Sequence, residues 1–247
     1  MLDETIQSVL QQSFTNYEYW IIDGNSNDGT QDLVRSYGDR IHLISENDYG
    51  IYHAMNKGFS KSKGTWLYFL NAGDTFYNAD VLSSFFDSTI SDSTMMIYGD
   101  IRTKNHPSGS DYTQGKAVQI ADFHYRVGLC HQAVFTHRKA FESIGNYEYM
   151  EYPILADQEW FVRFLKSGLQ SSYVPKTIAF YEVVGESYLK RKQNYKDHLK
   201  IVASHFSKWV IFMNRIREPW MLMKIYLLQK LGGGGIYKIY RRLFFKD

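Results

Sequence analysis

The chain has 247 residues, 44% of them hydrophobic and 17% aromatic, enough to bury a sizeable core and suited to one α/β domain with an extension or to one and a half domains. A formal net charge of +2 gives no ground for nucleic acid as the main partner, and a single cysteine, Cys130, excludes an internal disulfide framework and fits a reducing compartment. The start, Met1-Leu-Asp-Glu-Thr5, lacks the basic leader and apolar core of a signal peptide, and no apolar run approaches the ~18–20 residues that span a bilayer; a cytoplasmic protein is expected.

Leu2, Ile6, Val9 and Leu10 fall at helical spacing and predict an amphipathic helix to about Gln12. Tyr19 to Asp23 reads as a buried strand, 24–29 as a polar turn, and Thr30 opens a helix through Leu33, Val34 and Tyr37. Ile41 to Ser45 is the next strand, Tyr52 to Phe59 a short helix, and Thr65 to Leu70 an apolar strand that stops at Asn71-Ala72-Gly73-Asp74. A helix near Asp80 to Phe86 and a strand Met95 to Tyr98 continue the alternation. Strand alternating with helix implies parallel βαβ units and a doubly wound, mostly parallel sheet. Such a sheet normally begins with a strand, whereas this chain opens on a helix.

After Asp100 the pattern changes, and 102–121 reads as a hairpin or mobile loop. Gln132 to Thr136 reads as a strand, Arg138 to Ile144 as a helix closed by Gly145, Asp157 to Lys166 as a helix with an apolar side, and Ser172 to Tyr181 as mostly strand. From Tyr188 onward the pattern is helical, with breaks expected at Pro219 and at Gly232 to Gly235. The predicted division is 1–185 for the α/β domain, with halves at 1–100 and 101–185, and 186–247 for a helical extension.

Carboxylates recur at strand ends, in the crevice where open α/β sheets bind ligands. Asp74 ends one strand and is the kind of oxygen ligand that a hard divalent cation accepts beside phosphate and water; alone, it reads as well as a turn residue. Asp23 sits at a strand mouth, able to bond a nucleotide base or its own loop, while Asp28 reads as a helix cap. Asp48 faces the same edge. Lys57, next to Asn56 on the following helix, reads either as a phosphate contact or as a solvated lysine. Asp157 and Glu159 stand at a helix start, either stabilising its dipole or supplying a general base. His131 reads as a core histidine as readily as a site residue, and no zinc pattern is present.

Taken in order, Ser8 to Phe14, Ile22-Asp-Gly-Asn-Ser-Asn-Asp-Gly-Thr30, Asp48-Tyr-Gly-Ile-Tyr52, Ala54-Met-Asn-Lys-Gly58, Leu70-Asn-Ala-Gly-Asp74 and Ala156-Asp-Gln-Glu159 resemble family 2 glycosyltransferases of the GT-A fold. The resemblance covers roughly 2–185 and is nearest the bacterial exopolysaccharide and O-antigen branch, similar to the colanic acid transferases. It implies an inverting, metal-dependent hexosyl transfer from a UDP- or GDP-linked sugar to a lipid-linked saccharide acceptor in surface polysaccharide synthesis. By it, Asp23, Asp48, Asn56, Lys57, Asn71, Ala72, Gly73 and Asp74 would bind the nucleotide-sugar, and Asp74 would hold Mg²⁺ or Mn²⁺. Asp157 would be the base, with His131, Gln132 and Glu159 on the acceptor side. Ala72-Gly73 stand where the family motif carries acids before its last Asp, and Gly24 where many members carry a second Asp. The family's first strand has no counterpart ahead of the opening helix. A catalytically inactive saccharide- or nucleotide-binding remnant is the other reading. A sugar-nucleotide pyrophosphorylase lacks support, because no glycine-rich phosphate loop with basic residues is seen.

From His205 onward nine Lys/Arg stand against Glu218 and Asp247. They interleave with Trp209, Phe212, Ile216 and Trp220 in helical pattern. This suits an interfacial helix on the inner face of an anionic membrane, or helices packed on the domain or on a second subunit of a homodimer.

Overall fold

A computed structural model describes residues 1–86, 91–104, 117–125, 128–182 and 190–230. The opening helix α1 (Leu2–Leu10) buries Thr5, Ile6 and Val9 along one face, and Asp3 and Glu4 suit the positive end of its dipole. Next come β1 (Trp20–Asp23), α2 (Thr30–Arg35), β2 (His42–Ser45) and α3 (Ile51–Lys61). Then follow β3 (Trp66–Tyr68), β4 (Thr75–Phe76), α4 (Val81–Phe86) and β5 (Thr94–Lys104). The second half holds β6 (Val134–His137), α5 (Arg138–Ile144), α6 (Ala156–Lys166) and β7 (Gln170–Glu182), then α7 (Arg191–His205) and α8 (Lys208–Lys230).

Strands β1 and β2 pair in parallel, Trp20 opposite His42 through Asp23 opposite Ser45, which sets both carboxyl ends side by side. The other five strands form one sheet in the order β3-β6-β5-β7-β4. There β5 and β7 run parallel, while β3–β6, β5–β6 and β4–β7 are antiparallel. The α/β class holds, but the sheet is mixed rather than mostly parallel. Buried apolar runs mark strands without marking direction, so alternation alone did not reveal the antiparallel returns.

Two further boundaries differ from the sequence reading. β5 continues to Lys104, because Ile101 and Thr103 are buried and the Tyr173 hydroxyl donates to Asp100 at 2.9 Å, which gives polar Asp100 a partner inside the sheet. The expected loop therefore begins later, and most of it, 105–116, lies outside the described residues. Helix α8 also runs through Pro219 instead of breaking there. A proline removes one helical hydrogen bond and crowds the preceding turn, but Pro219 is exposed, where water can satisfy the freed carbonyl. The Gly232 to Gly235 break and everything beyond it lie outside the described residues.

The largest core cluster surrounds Trp160 of α6, which stacks on Phe141 at 4.5 Å and donates its indole N–H to the Gly145 carbonyl at 2.8 Å. Each fully buried aromatic here contributes roughly 1.5–3 kcal/mol relative to exposure. Helix α6 is buried almost all round, with Phe161, Val162 and Phe164 as inaccessible as Trp160. Ile201 of α7 belongs to the same cluster, so α7 shares the core of the domain before it. A second cluster holds Val9, Phe76, Phe85, Ile97, Phe135 and Ile178 between α1, α4 and the five-stranded sheet.

One glycine is demanded by close packing. A Cβ on Gly99 of β5 would lie 2.4 Å from the Lys176 carbonyl oxygen of β7, a backbone atom fixed by the sheet. Gly99→Ala is expected to destabilise the protein by about 2 kcal/mol, read from the urea midpoint. An unchanged midpoint would mean that the two strands spread without cost.

Candidate active site

The polar residues gather where the strands end. Asp157, on the first turn of α6, is 5% exposed. Its Oδ1 lies 2.8 Å from the Tyr52 hydroxyl and accepts the Gln158 backbone N–H at 2.8 Å. Its Oδ2 lies 3.1 Å from Nδ1 of His131. The other ring nitrogen, Nε2, is 3.2 Å from the Asn71 amide nitrogen, which can only donate. That pairing assigns the ring proton to Nδ1, so His131 donates to Asp157. Three bonds occupy an anion with about four acceptor positions, leaving Oδ2 room for one more donor among the described residues.

Asp74 lies in the same network. Its Oδ2 accepts the Gln132 side-chain amide at 2.7 Å, and Gln132 follows His131 on a single 3-10 turn, His131–Ala133. The turn is held from below, where the Tyr68 hydroxyl donates to the Gln132 carbonyl at 2.7 Å. Thr5 of α1 secures the loop before Asp74, accepting the Gly73 N–H at 2.9 Å and donating to the Asp74 carbonyl at 2.7 Å. Gly73 itself has φ of 100°, a left-handed value that favours glycine. Asn71 joins the network through its side chain, while Ala72 and Gly73 shape the turn.

At the adjoining end, Asp23 is buried and accepts the Ser45 hydroxyl at 2.6 Å and the Ser26 N–H at 3.0 Å. Burial pushes its carboxyl up, but the bonds from Ser26, Ser45 and the loop backbone outweigh it and hold the group below the usual carboxylate range. Asp48 packs directly over Gly24, where a Cβ would lie 2.8 Å from a carboxylate oxygen. Asp48 also accepts the Gly50 N–H at 2.8 Å, just ahead of α3, and two residues on is Tyr52, the partner of Asp157. Gly24, beside Asp23, thus abuts Asp48, the backbone from Asp48 leads into α3 at Tyr52, and Tyr52 reaches Asp157, while Asn71, His131 and Gln132 connect Asp157 to Asp74. Asp28 accepts the Thr30 N–H at 3.1 Å but stands one residue ahead of the N-cap of α2, which is Gly29, so the expected cap becomes a local turn bond.

Other candidates are engaged in the scaffold. Lys57 donates to the Asn47 carbonyl at 2.8 Å and pairs with Glu46 at 3.0 Å, bracing the Asp48 loop. Asn56 clasps the Tyr147 backbone through both amide atoms. Glu159, two residues from Asp157, turns the opposite way to Arg163 at 2.9 Å and His205 at 3.0 Å. Arg163 in turn caps the end of α5 at the Ile144 and Asn146 carbonyls. Burial raises the Glu159 carboxyl, but His205 and then Arg163 more than offset this and depress it. A depressed folded-state value stabilises above the unfolded carboxylate pKa, about 4.3, and that stability is lost as pH falls through the depressed value. Wild-type melting temperature should therefore drop more steeply below pH ~4 than that of Glu159→Gln, which at neutral pH should be about 1–3 kcal/mol less stable. Parallel acid profiles for the two proteins would show that this cluster has no such role.

Sequence reasoning overlooked Thr5, Gln158 and Asp197 and gave Tyr52 no role, although Tyr52 closes the Asp48-Tyr-Gly-Ile-Tyr52 motif. The buried Gln158 amide accepts the Gly128 N–H at 3.0 Å and donates to the Leu129 carbonyl at 2.6 Å, tying the segment before His131 to α6. Asp197 of α7, fully buried, accepts the Ile154 and Leu155 N–H groups at 2.7 and 3.2 Å, just ahead of α6. Among the described residues no three His, Cys, Asp or Glu side chains cluster to hold a metal. A buried carboxylate beside an amide nonetheless suits Mg²⁺ or Mn²⁺, whose remaining positions phosphate oxygens and water can fill.

Residues 1–151 match the model of the family described as Glycosyl transferase family 2. The chain is similar to a PGL/p-HBAD biosynthesis glycosyltransferase of Mycobacterium bovis, 30% identical over 207 residues that cover 77% of this chain and 78% of that one. A 77-residue stretch, 30% of this chain and 31% of the relative, is 35% identical to the putative teichuronic acid biosynthesis glycosyltransferase TuaG of Bacillus subtilis. Among solved structures, S. aureus TarS 1-349 in complex with UDP superposes with a TM-score of 0.64 at 15% identity over 83% of this chain; the chain spans 61% of that one. The mannosyltransferase PcManGT of Pyrobaculum calidifontis, in complex with GDP-Man and Mn²⁺, gives 0.62 at 14% identity over 82% of this chain and 59% of its own. With the family model covering more than half its length and a relative matched over three quarters, this chain belongs to glycosyl transferase family 2 and has the GT-A fold.

Proposed function

We propose that the protein transfers a hexosyl group from a UDP- or GDP-linked sugar to a hydroxyl of a saccharide acceptor, with inversion at the anomeric carbon. The observation that carries this reading is Asp157, a buried carboxylate oriented by Tyr52 and His131 and linked through Asn71 and Gln132 to the loop of Asp74. In the proposed step Oδ2 of Asp157 takes the acceptor's hydroxyl proton as the oxygen attacks the anomeric carbon. The bond from that carbon to the diphosphate breaks from the opposite face, and its electron pair leaves with the nucleoside diphosphate.

Asp23 and Asp48, at the paired ends of β1 and β2, suit the nucleoside, whose hydroxyls and base N–H groups donate to carboxylates. Asp74 would hold Mg²⁺ or Mn²⁺, which when bound offsets the charge of the departing diphosphate. The relatives are named for PGL/p-HBAD and teichuronic acid biosynthesis, which supports a saccharide acceptor in polysaccharide synthesis; a lipid-linked one is proposed.

The test is a panel of UDP- and GDP-sugars with Mn²⁺, followed by NMR of the linkage formed. Transfer from an α-linked donor should give a β-linked product. Retention of configuration would overturn the base role of Asp157, and donor binding without turnover across the panel would favour a saccharide-binding remnant.

A further inference from the structure

Helix α8 is seated on the domain along one face and exposes an apolar stripe along another. Val210 and Asn214 turn inward, Asn214 donating to the His124 carbonyl at 2.9 Å, so this side seats the helix on the domain. Opposite lie Trp209 at 65% exposure, Phe212 at 52%, Ile216 at 51%, Trp220 at 71% and Met223 at 49%. At about 100° per residue these five fall within an arc of about 80° and extend roughly 21 Å along the helix. Among the described residues the other large exposed hydrophobics are Met1, Tyr49 and Met150, none of them on α8. A contiguous apolar stripe of this kind marks an interaction surface.

The charges beside the stripe select the partner. Lys208 and Arg215 flank one side and Arg217, which also covers the Tyr125 ring at 4.7 Å, flanks the other. Over 208–230 the sequence holds five Lys/Arg and one acid, Glu218. A second copy docking by the same stripe would bring like-charged rows together, whereas an anionic headgroup layer neutralises both rows at once. Two tryptophans near the ends of the stripe suit a boundary that is apolar on one side and wet on the other. No helix among the described residues is long and apolar enough to cross a membrane.

We infer that α8 lies flat on an anionic lipid surface, its Trp209–Met223 stripe in the acyl boundary and its basic rows among the headgroups. The inference stands independently of the transfer chemistry. It is tested by sedimentation of the full chain with vesicles of phosphatidylglycerol mixed with phosphatidylcholine, and of phosphatidylcholine alone, at low and high salt. Wild type should partition onto the anionic vesicles and weaken with salt. Trp209→Ser/Trp220→Ser should partition at least about tenfold more weakly, and Lys208→Gln/Arg215→Gln about fivefold more weakly per charge removed. Both should keep the wild-type circular dichroism and soluble-acceptor activity.

Wild type remaining in the supernatant, or folded double variants partitioning like wild type, would overturn the inference. So would a wild-type dimer that Trp209→Ser/Trp220→Ser makes monomeric without any vesicle binding, which would assign the stripe to a second copy.

Discussion

Asp157→Asn is expected to lower kcat on the order of a thousandfold, within the range that positioned proton transfer supplies, while the donor Kd stays near wild type. The amide keeps the shape of the carboxylate and still accepts from Tyr52 through its oxygen, but it cannot take a proton from the acceptor. Its nitrogen also meets the His131 Nδ1–H, so a stability loss of about 1 kcal/mol should accompany the rate effect. Product formation at saturating donor measures the first quantity and calorimetry with the nucleoside diphosphate the second. A variant within tenfold of wild-type kcat would remove Asp157 from the chemistry; one that also lost donor affinity would mean that the substitution had collapsed the site.

The second large effect lies farther from the cleft. Asp197→Ala is expected to cost about 3–5 kcal/mol, because it strands the Ile154 and Leu155 N–H groups in a dry interior and takes the partner from the half-buried Gln193 amide. Asp197→Asn can keep an oxygen toward the two backbone groups while the Gln193 amide rotates to accept, so its loss should be about 1 kcal/mol. Urea denaturation of both variants separates these outcomes, and equal small losses would mean that water fills the gap. Since those N–H groups immediately precede α6, the alanine variant should also lose activity at temperatures where it is still folded.

Which parts of this were readable from the chain alone follows from the range of the forces involved. Helices α1, α3, α5 and α6 announce themselves by local spacing, and Asp157 was legible as an acid at the head of an apolar helix. The His131–Asp157 contact spans 26 residues and Tyr52–Asp157 spans 105, and no periodicity encodes such pairs. Glu159 shows the converse difficulty: in sequence it resembles its neighbour Asp157, yet a turn of about 200° around the helix sends it to Arg163 and His205. Strand direction was equally silent, because a buried run looks the same either way. The alanine and glycine before Asp74 become intelligible beside Thr5, whose hydroxyl binds the loop backbone on both sides.

His131 and Gln132 are neighbours on one short turn, yet the first steadies Asp157, the proposed proton acceptor, and the second reaches Asp74, the proposed acid of the leaving-group side. In the proposed reaction the two substrates would thus be gauged from a single mounting. Anyone redesigning this scaffold for a new acceptor by reshaping that turn should find donor preference drifting with it, so the two specificities would have to be selected together.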